Sequence, residues 1–125
     1  MKVLLLLATL LLSVTAKKGC HASKTASTTF KGRLEVKGMC MNYTIKVTDG
    51  AIDTSLVEQN WTDENTGISY TNVFALGSRC NFPSTIGPGD VFSFVIDTAQ
   101  DRHCAVCLAY YPTPSKHLSI KVLDK

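Results

Sequence analysis

The part of this sequence best equipped for chemistry is the pair Cys104 and Cys107. Two residues lie between these cysteines, and His103 precedes them. Two thiols at this spacing can act as a redox pair when a helix N-terminus lowers the pKa of the first one. Cysteine and histidine side chains bind zinc when four of them converge, and Cys20 with His21 would supply two more ligands. Three interpretations are therefore open: a redox site, a zinc site or structural disulfides.

The first residues indicate the compartment in which these thiols would lie. Lys2 precedes a leucine-rich apolar run at residues 3–12, and small or β-branched side chains lead to a cleavage point after Ala16. This layout predicts a secretory signal peptide at residues 1–16. An uncleaved anchor is the alternative, but the run is shorter than the roughly 20 residues that span a membrane. We expect a secreted, extracellular protein without a membrane span, in which cysteines form disulfides.

Strand geometry bears on the pairing of the cysteines. The residues around the pair favour a strand over 104–111, which is apolar on both faces and so predicted to lie in the core. In a strand, Cα atoms three residues apart are separated by roughly 10 Å, whereas a disulfide needs less than about 7 Å. We therefore expect Cys104 and Cys107 to bond separate partners. Cys40 and Cys80 are the natural ones, with the connectivity left open.

Cys20 is then the odd cysteine and could link two chains into a disulfide-bonded dimer. A pairing of Cys20 with one of the other four cysteines is also open. The redox interpretation lacks the βαβ pattern in which such pairs are normally found, and zinc binding competes with oxidation in an exported chain. We predict no metal, no cofactor and no enzymatic activity.

Apolar residues at every second position predict the fold class. Phe30, Leu34 and Val36 share one face of a strand, and Tyr43 with Ile45 begins the next alternation. About seven segments are predicted strands, most of them with this alternation, and no convincing helix of ten residues is present. They are 30–37, 41–48, 51–62, 68–76, 91–97, 104–111 and 117–123. This predicts an all-β fold, an antiparallel β-sandwich of about seven strands stabilised by disulfides.

Turn signals separate these segments. Asp49-Gly50 suits a tight hairpin that would pair the second segment with residues 51–62. The cluster Asp-Glu-Asn-Thr-Gly at 63–67 predicts another turn. The domain organisation is therefore a signal peptide, a flexible basic leader at 17–29 and a single β-sandwich domain at 30–125.

Basic side chains concentrate in residues 17–37, where Glu35 is the only acidic residue. Such an arm can hold an acidic partner such as a glycan, although a solvated tail is the plainer interpretation and no nucleic-acid binding is predicted. Two sequons, at Asn42 and Asn60, predict N-glycosylation, with Asn42 on the solvent face of its strand.

Residues 31–72 resemble the transthyretin-like proteins exported by nematodes. The resemblance is carried by "KGRLEVKGMC", "IKVTDG" and "TDENTG", in that order. It implies a β-sandwich, and it implies no ligand-binding residues.

Together these features predict a secreted, non-enzymatic interaction protein: an effector, toxin-like factor or matrix component that binds an extracellular protein or glycan. Trp61, Tyr110 and Tyr111 could form an apolar binding patch, although core packing is the commoner role of aromatic residues. One alternative is a carrier of a small apolar ligand. Another is a zinc or redox protein that uses His103 with the neighbouring cysteine pair.

Overall fold

The computed structural model describes residues 28–99 and 104–125, within which there are eight strands and three short 3-10 helices. The predicted signal peptide, most of the leader, Cys20, His21 and His103 lie outside the described residues. The strands are β1 (Phe30–Lys37), β2 (Tyr43–Asp49), β3 (Trp61–Thr62), β4 (Ser69–Tyr70), β5 (Val73–Leu76), β6 (Val91–Ile96), β7 (His117–Leu118) and β8 (Ile120–Asp124). The 3-10 helices are η1 (Met39–Met41), η2 (Thr54–Leu56) and η3 (Arg79–Asn81).

Six of the strands form one curled sheet in the order β7-β5-β2-β1-β6-β8, and β3 pairs with β4 in a separate small sheet. The prediction of an all-β, disulfide-containing fold is confirmed. The architecture, however, is a half-barrel and not the predicted seven-stranded sandwich, and β5 pairs with β7 in parallel. The edge strands β7 and β8 are consecutive pieces of one segment, separated only by Ser119. Because both edges end on this segment, the sheet curls instead of dividing into two layers.

Phenylalanine side chains fill the concave face of the curled sheet. Phe74 and Phe94 are fully buried with ring centroids 5.8 Å apart, and Phe92 lies 6.1 Å from Phe94. Full burial of one such side chain contributes about 1.5–3 kcal/mol. The remaining buried apolar residues of this core are Phe30, Leu34, Ile45, Val47, Val57, Leu76, Phe82, Ile86, Leu118 and Ile120.

The opposite face of the sheet is covered as well. Thr44, Val73 and Ala75 point away from the phenylalanine core by the alternation of their strands, yet all three are buried. Burial raises the pKa of the Tyr70 hydroxyl in β4, and the nearby charge of Glu35 in β1 raises that pKa further.

A bulge in β1 changes which residues face the core. Leu34 lies opposite Ile45, but the next pair is Val36 with Thr44, so Glu35 is the extra residue. The prediction that Val36 shares a face with Leu34 is therefore wrong. Beyond a bulge, alternation continues on the other face.

The predicted hairpin after Asp49-Gly50 is wrong, although Gly50 does adopt the positive φ of 103° expected of a turn. The chain leaves β2 and forms η2, whose first turn is capped by the Asp53 carboxylate accepting from Ser55 N–H at 2.9 Å. The partners of β2 are β1 and β5. The turn predicted at 63–67 is present and joins β3 to β4.

Ser78 fastens the segment after β5 to the start of β8. Its buried hydroxyl accepts from the backbone N–H of Ile120 at 2.9 Å and donates to the carbonyl of the same residue at 2.8 Å. Gly77 N–H donates to Leu118 carbonyl at 2.8 Å beside it. One side chain thus satisfies both backbone groups where β7 gives way to β8.

We predict that Ser78→Ala lowers the free energy of unfolding by about 1–3 kcal/mol, because it leaves two buried backbone groups of Ile120 without their partner. Denaturant unfolding would measure this as a lower midpoint at unchanged slope. The matched control is Ser84→Ala, since Ser84 is exposed in the loop before β6. Equal stability of the two variants would contradict the role given to Ser78.

Candidate functional site: an anchored and exposed segment

Residues 104–111, called the anchored segment below, form no strand and do not lie in the core, contrary to the prediction. Leu108 is 94% exposed and Tyr110 is 79% exposed. The segment pairs with neither edge strand of the curled sheet, β7 or β8. An apolar stretch without a place in the sheet is held at the surface instead.

Two disulfides hold the anchored segment. Cys107 bonds Cys40 in η1, with Cα atoms 5.1 Å apart, and Cys104 bonds Cys80 in η3, with Cα atoms 5.5 Å apart. The two cysteines of the pair thus bond separate partners as expected, although they lie in an irregular segment and not in a strand. The bonds close 67 and 24 residues of chain. Loops of this length correspond to roughly 3 to 4.7 kcal/mol per bond in the chain-entropy treatment.

Asn42 joins the anchored segment to both 3-10 helices. Its Nδ2 group donates to Met39 carbonyl at 2.9 Å and to Ala109 carbonyl at 3.2 Å, and its Oδ1 accepts from Arg79 Nη2 at 3.0 Å. The residue is only 9% exposed. Its predicted position on the solvent face is therefore wrong, since the side chain turns inward to satisfy these partners. Asn60, at the other sequon, is exposed.

The end of the anchored segment is fixed by packing. A Cβ atom on Gly38 would lie 2.5 Å from a ring carbon of Tyr111, so only glycine permits this approach. Pro112 and Pro114 follow and are buried. Tyr111 thus serves in packing, while its neighbour Tyr110 is free to contact a partner.

Met39, Leu108 and Tyr110 are called the apolar patch. Met39 is 58% exposed and directly precedes Cys40. Cys40 is bonded to Cys107, which directly precedes Leu108. Asn42 Nδ2 bridges the backbone of Met39 to that of Ala109, which lies between the other two members of the patch. The backbones of the three residues are therefore held close together, with all three side chains exposed.

A cleft of about 380 Å³ lies beside the anchored segment. Its lining includes Arg79, Val106 and His117, together with the disulfide between Cys80 and Cys104. Among the residues that the structure describes, no carboxylate lines the cleft. An acidic or neutral polar group of a partner would therefore meet no like charge next to the apolar patch.

The redox and zinc interpretations of Cys104 and Cys107 do not match this arrangement. A redox couple within the pair would join Cys104 to Cys107, and zinc binding would need their thiolates. Both cysteines are instead bonded to other cysteines. Within residues 28–99 and 104–125, no group of three metal-binding side chains is found. His103, the remaining member of that hypothesis, lies outside the described residues.

Sequence reasoning missed the inward role of Asn42 and the close approach at Gly38. One signal for the exposed position of the anchored segment was available: its apolar residues follow no period, and two prolines come shortly after it. No comparable signal distinguishes Asn42 from a surface sequon.

Comparison with known proteins finds no matching family model, no matching curated protein and no matching solved structure. The resemblance of residues 31–72 to transthyretin-like proteins stays a prediction.

We predict that glycosylation in a secretory host uses Asn60 and not Asn42, because a glycan on Asn42 Nδ2 would displace its bonds to Met39 and Ala109. Asn60→Gln should remove one glycan from the mass of the secreted protein. Asn42→Gln should leave the mass of the glycans unchanged but lower the free energy of unfolding by about 1–3 kcal/mol. A glycopeptide that carries sugar on Asn42 in folded protein would contradict this assignment.

Proposed function

We propose that this protein is secreted and acts outside the cell as a non-enzymatic interaction protein, with the apolar patch as its contact surface. Export is supported by the leucine-rich start of the chain and by the disulfides. Within the described residues, no helix is both long and apolar enough to cross a membrane. Effector, toxin-like factor and matrix component all fit this description.

The observation that carries the proposal is the exposure of Leu108. This residue lies on a segment that disulfides join to both η1 and η3. A segment that becomes ordered only on binding loses backbone freedom at that moment, and this loss opposes association. The disulfides and the Asn42 amide restrict the backbone of the anchored segment before any partner arrives. A fixed apolar patch of this kind suits a protein partner better than a glycan, whose surface is mostly polar.

The alternative of a carrier finds less support. A ligand-binding cavity for a small apolar molecule usually has about 300–1,000 Å³ of enclosed, mainly apolar space. The concave face of the sheet instead holds Phe74, Phe92 and Phe94, which contact each other and are buried. Binding of an environment-sensitive apolar dye would therefore be weak, and tight stoichiometric binding would favour the carrier.

The interaction function predicts saturable binding of labelled protein to the matrix and cell surfaces of the tissue that secretes it. The double variant Leu108→Ser, Tyr110→Ser should bind at least about 30-fold more weakly, because removal of a central apolar contact costs about 2 kcal/mol. The matched control is Ile68→Ser, Leu123→Ser, since these side chains are 51% and 50% exposed elsewhere on the surface. The control should bind as the unmodified protein does.

Absence of saturable binding by the unmodified protein would contradict the proposed function. If the test and control variants lost binding equally, the apolar patch would not be the contact surface. Both variants change exposed positions, so their thermal unfolding should stay close to that of the unmodified protein.

A further inference from the structure

Three contacts hold the anchored segment, and two large apolar side chains on it are exposed. Cys107 is fixed by its disulfide, the carbonyl of Ala109 by Asn42, and the ring of Tyr111 by its contact with Gly38. Leu108 and Tyr110, which lie between these positions, project into solvent. Residues 105–114 contain no turn and no bend, as in an extended chain. The segment therefore presents an extended backbone whose outward side chains are apolar.

This is the form in which a protease takes up a polypeptide. The specificity pocket of a serine protease receives one side chain, and in the chymotrypsin type this pocket is a hydrophobic slot. Protease–inhibitor complexes are among the tightest known, and their interface backbones move little on binding. A segment that is already fixed in the shape it has when bound meets that requirement.

Resting on the proposed function, we propose that the partner is a serine protease with an apolar specificity pocket, and that Leu108 enters this pocket so that the anchored segment blocks the substrate cleft. Leu108 is more exposed than Tyr110, at 94% against 79%. It also lies directly between two held positions, the disulfide of Cys107 and the carbonyl of Ala109.

Cleavage of the segment would not release it. Hydrolysis adds one water across the Leu108–Ala109 peptide bond and leaves a carboxyl group on Leu108 and an amino group on Ala109. The first new end stays attached through Cys107 to Cys40. The second stays attached through the Asn42 hydrogen bond and the packing of Tyr111 on Gly38. Because both ends remain in place, the amine can re-form the bond, and the protease stays occupied.

A lipid surface is the other class of partner that accepts exposed leucine and tyrosine. Segments that bind the membrane interface usually combine apolar residues with lysine or arginine for the anionic headgroups. Residues 104–111 carry no lysine, arginine or acidic side chain. The observations therefore favour a protein cleft over a membrane.

The test measures residual activity of chymotrypsin, elastase and trypsin on small chromogenic substrates in the presence of the purified, oxidised protein. We expect inhibition of chymotrypsin or elastase and none of trypsin. Leu108→Lys should inhibit trypsin, because the trypsin pocket takes a basic side chain. The same variant should inhibit chymotrypsin or elastase about 100-fold more weakly than the unmodified protein does. Ile68→Lys is the matched control and should behave as the unmodified protein.

A second variant tests the role of the anchors. With Cys40→Ser and Cys107→Ser combined, the segment loses one attachment, so we expect chymotrypsin to cut after Leu108 and inhibition to fade with time. The cut is detected by mass spectrometry of the products. Lasting inhibition by this variant would contradict the argument that anchoring prevents release.

Three results would overturn the inference. The first is that none of the three enzymes is inhibited, and the second is that Leu108→Lys does not inhibit trypsin. The third is that the protein binds vesicles of phosphatidylserine and phosphatidylcholine in a way that depends on Leu108. Loss of protease inhibition alongside saturable, Leu108-dependent binding to extracellular material would reject only this inference. Loss of both would reject the proposed function as well.

Discussion

The side chain of Asn42 is the contact on which the exposed surface depends. Three pieces of chain far apart in sequence meet at its amide: Met39 in η1, Arg79 in η3 and Ala109 in the anchored segment. The two disulfides join the same three pieces, since they run from η1 and from η3 to the anchored segment. Removal of this buried amide would leave each of the groups that it bonds without its partner. Covalent and hydrogen-bonded connections therefore reinforce each other at one end of the molecule.

The backbone of η1 shows how closely this end is determined. Cys40 and Met41 both have positive φ, at 57° and 56°, which is uncommon for residues with a side chain. Such conformations cost about 1–3 kcal/mol each and persist where the surroundings demand them. Here the disulfide of Cys40 and the hydrogen bonds of Asn42 supply that demand.

Sequence reasoning succeeded where burial follows the alternation of side chains along a strand. It failed where the position of a side chain is set by a contact with residues distant in sequence. The period of two correctly placed Phe30, Ile45 and Phe92 in the core, because one face of each strand must be dry. It misplaced Val36, since nothing local announces the bulge at Glu35. It also placed residues 104–111 in the core, because apolar composition does not distinguish a buried strand from an exposed segment held by disulfides.

The misplacement of Asn42 has the same origin. A sequon records only three adjacent residue types, whereas the role of this amide is set by residues 37 and 67 positions away. The curled architecture also depends on a distant relation, because β7 and β8 reach opposite edges of one sheet from a single short segment. Pairings of this kind connect sequence positions that no local pattern links.

The separation between core and surface bears on how this scaffold can diversify. Ala105, Leu108 and Tyr110 are exposed, and the hydrogen bond that fixes the segment between the last two uses the backbone carbonyl of Ala109 and not a side chain. Changes at the three exposed positions therefore leave the phenylalanine core and the anchoring contacts intact. One framework can therefore carry many different side-chain combinations at this end without a change in the contacts that fold it.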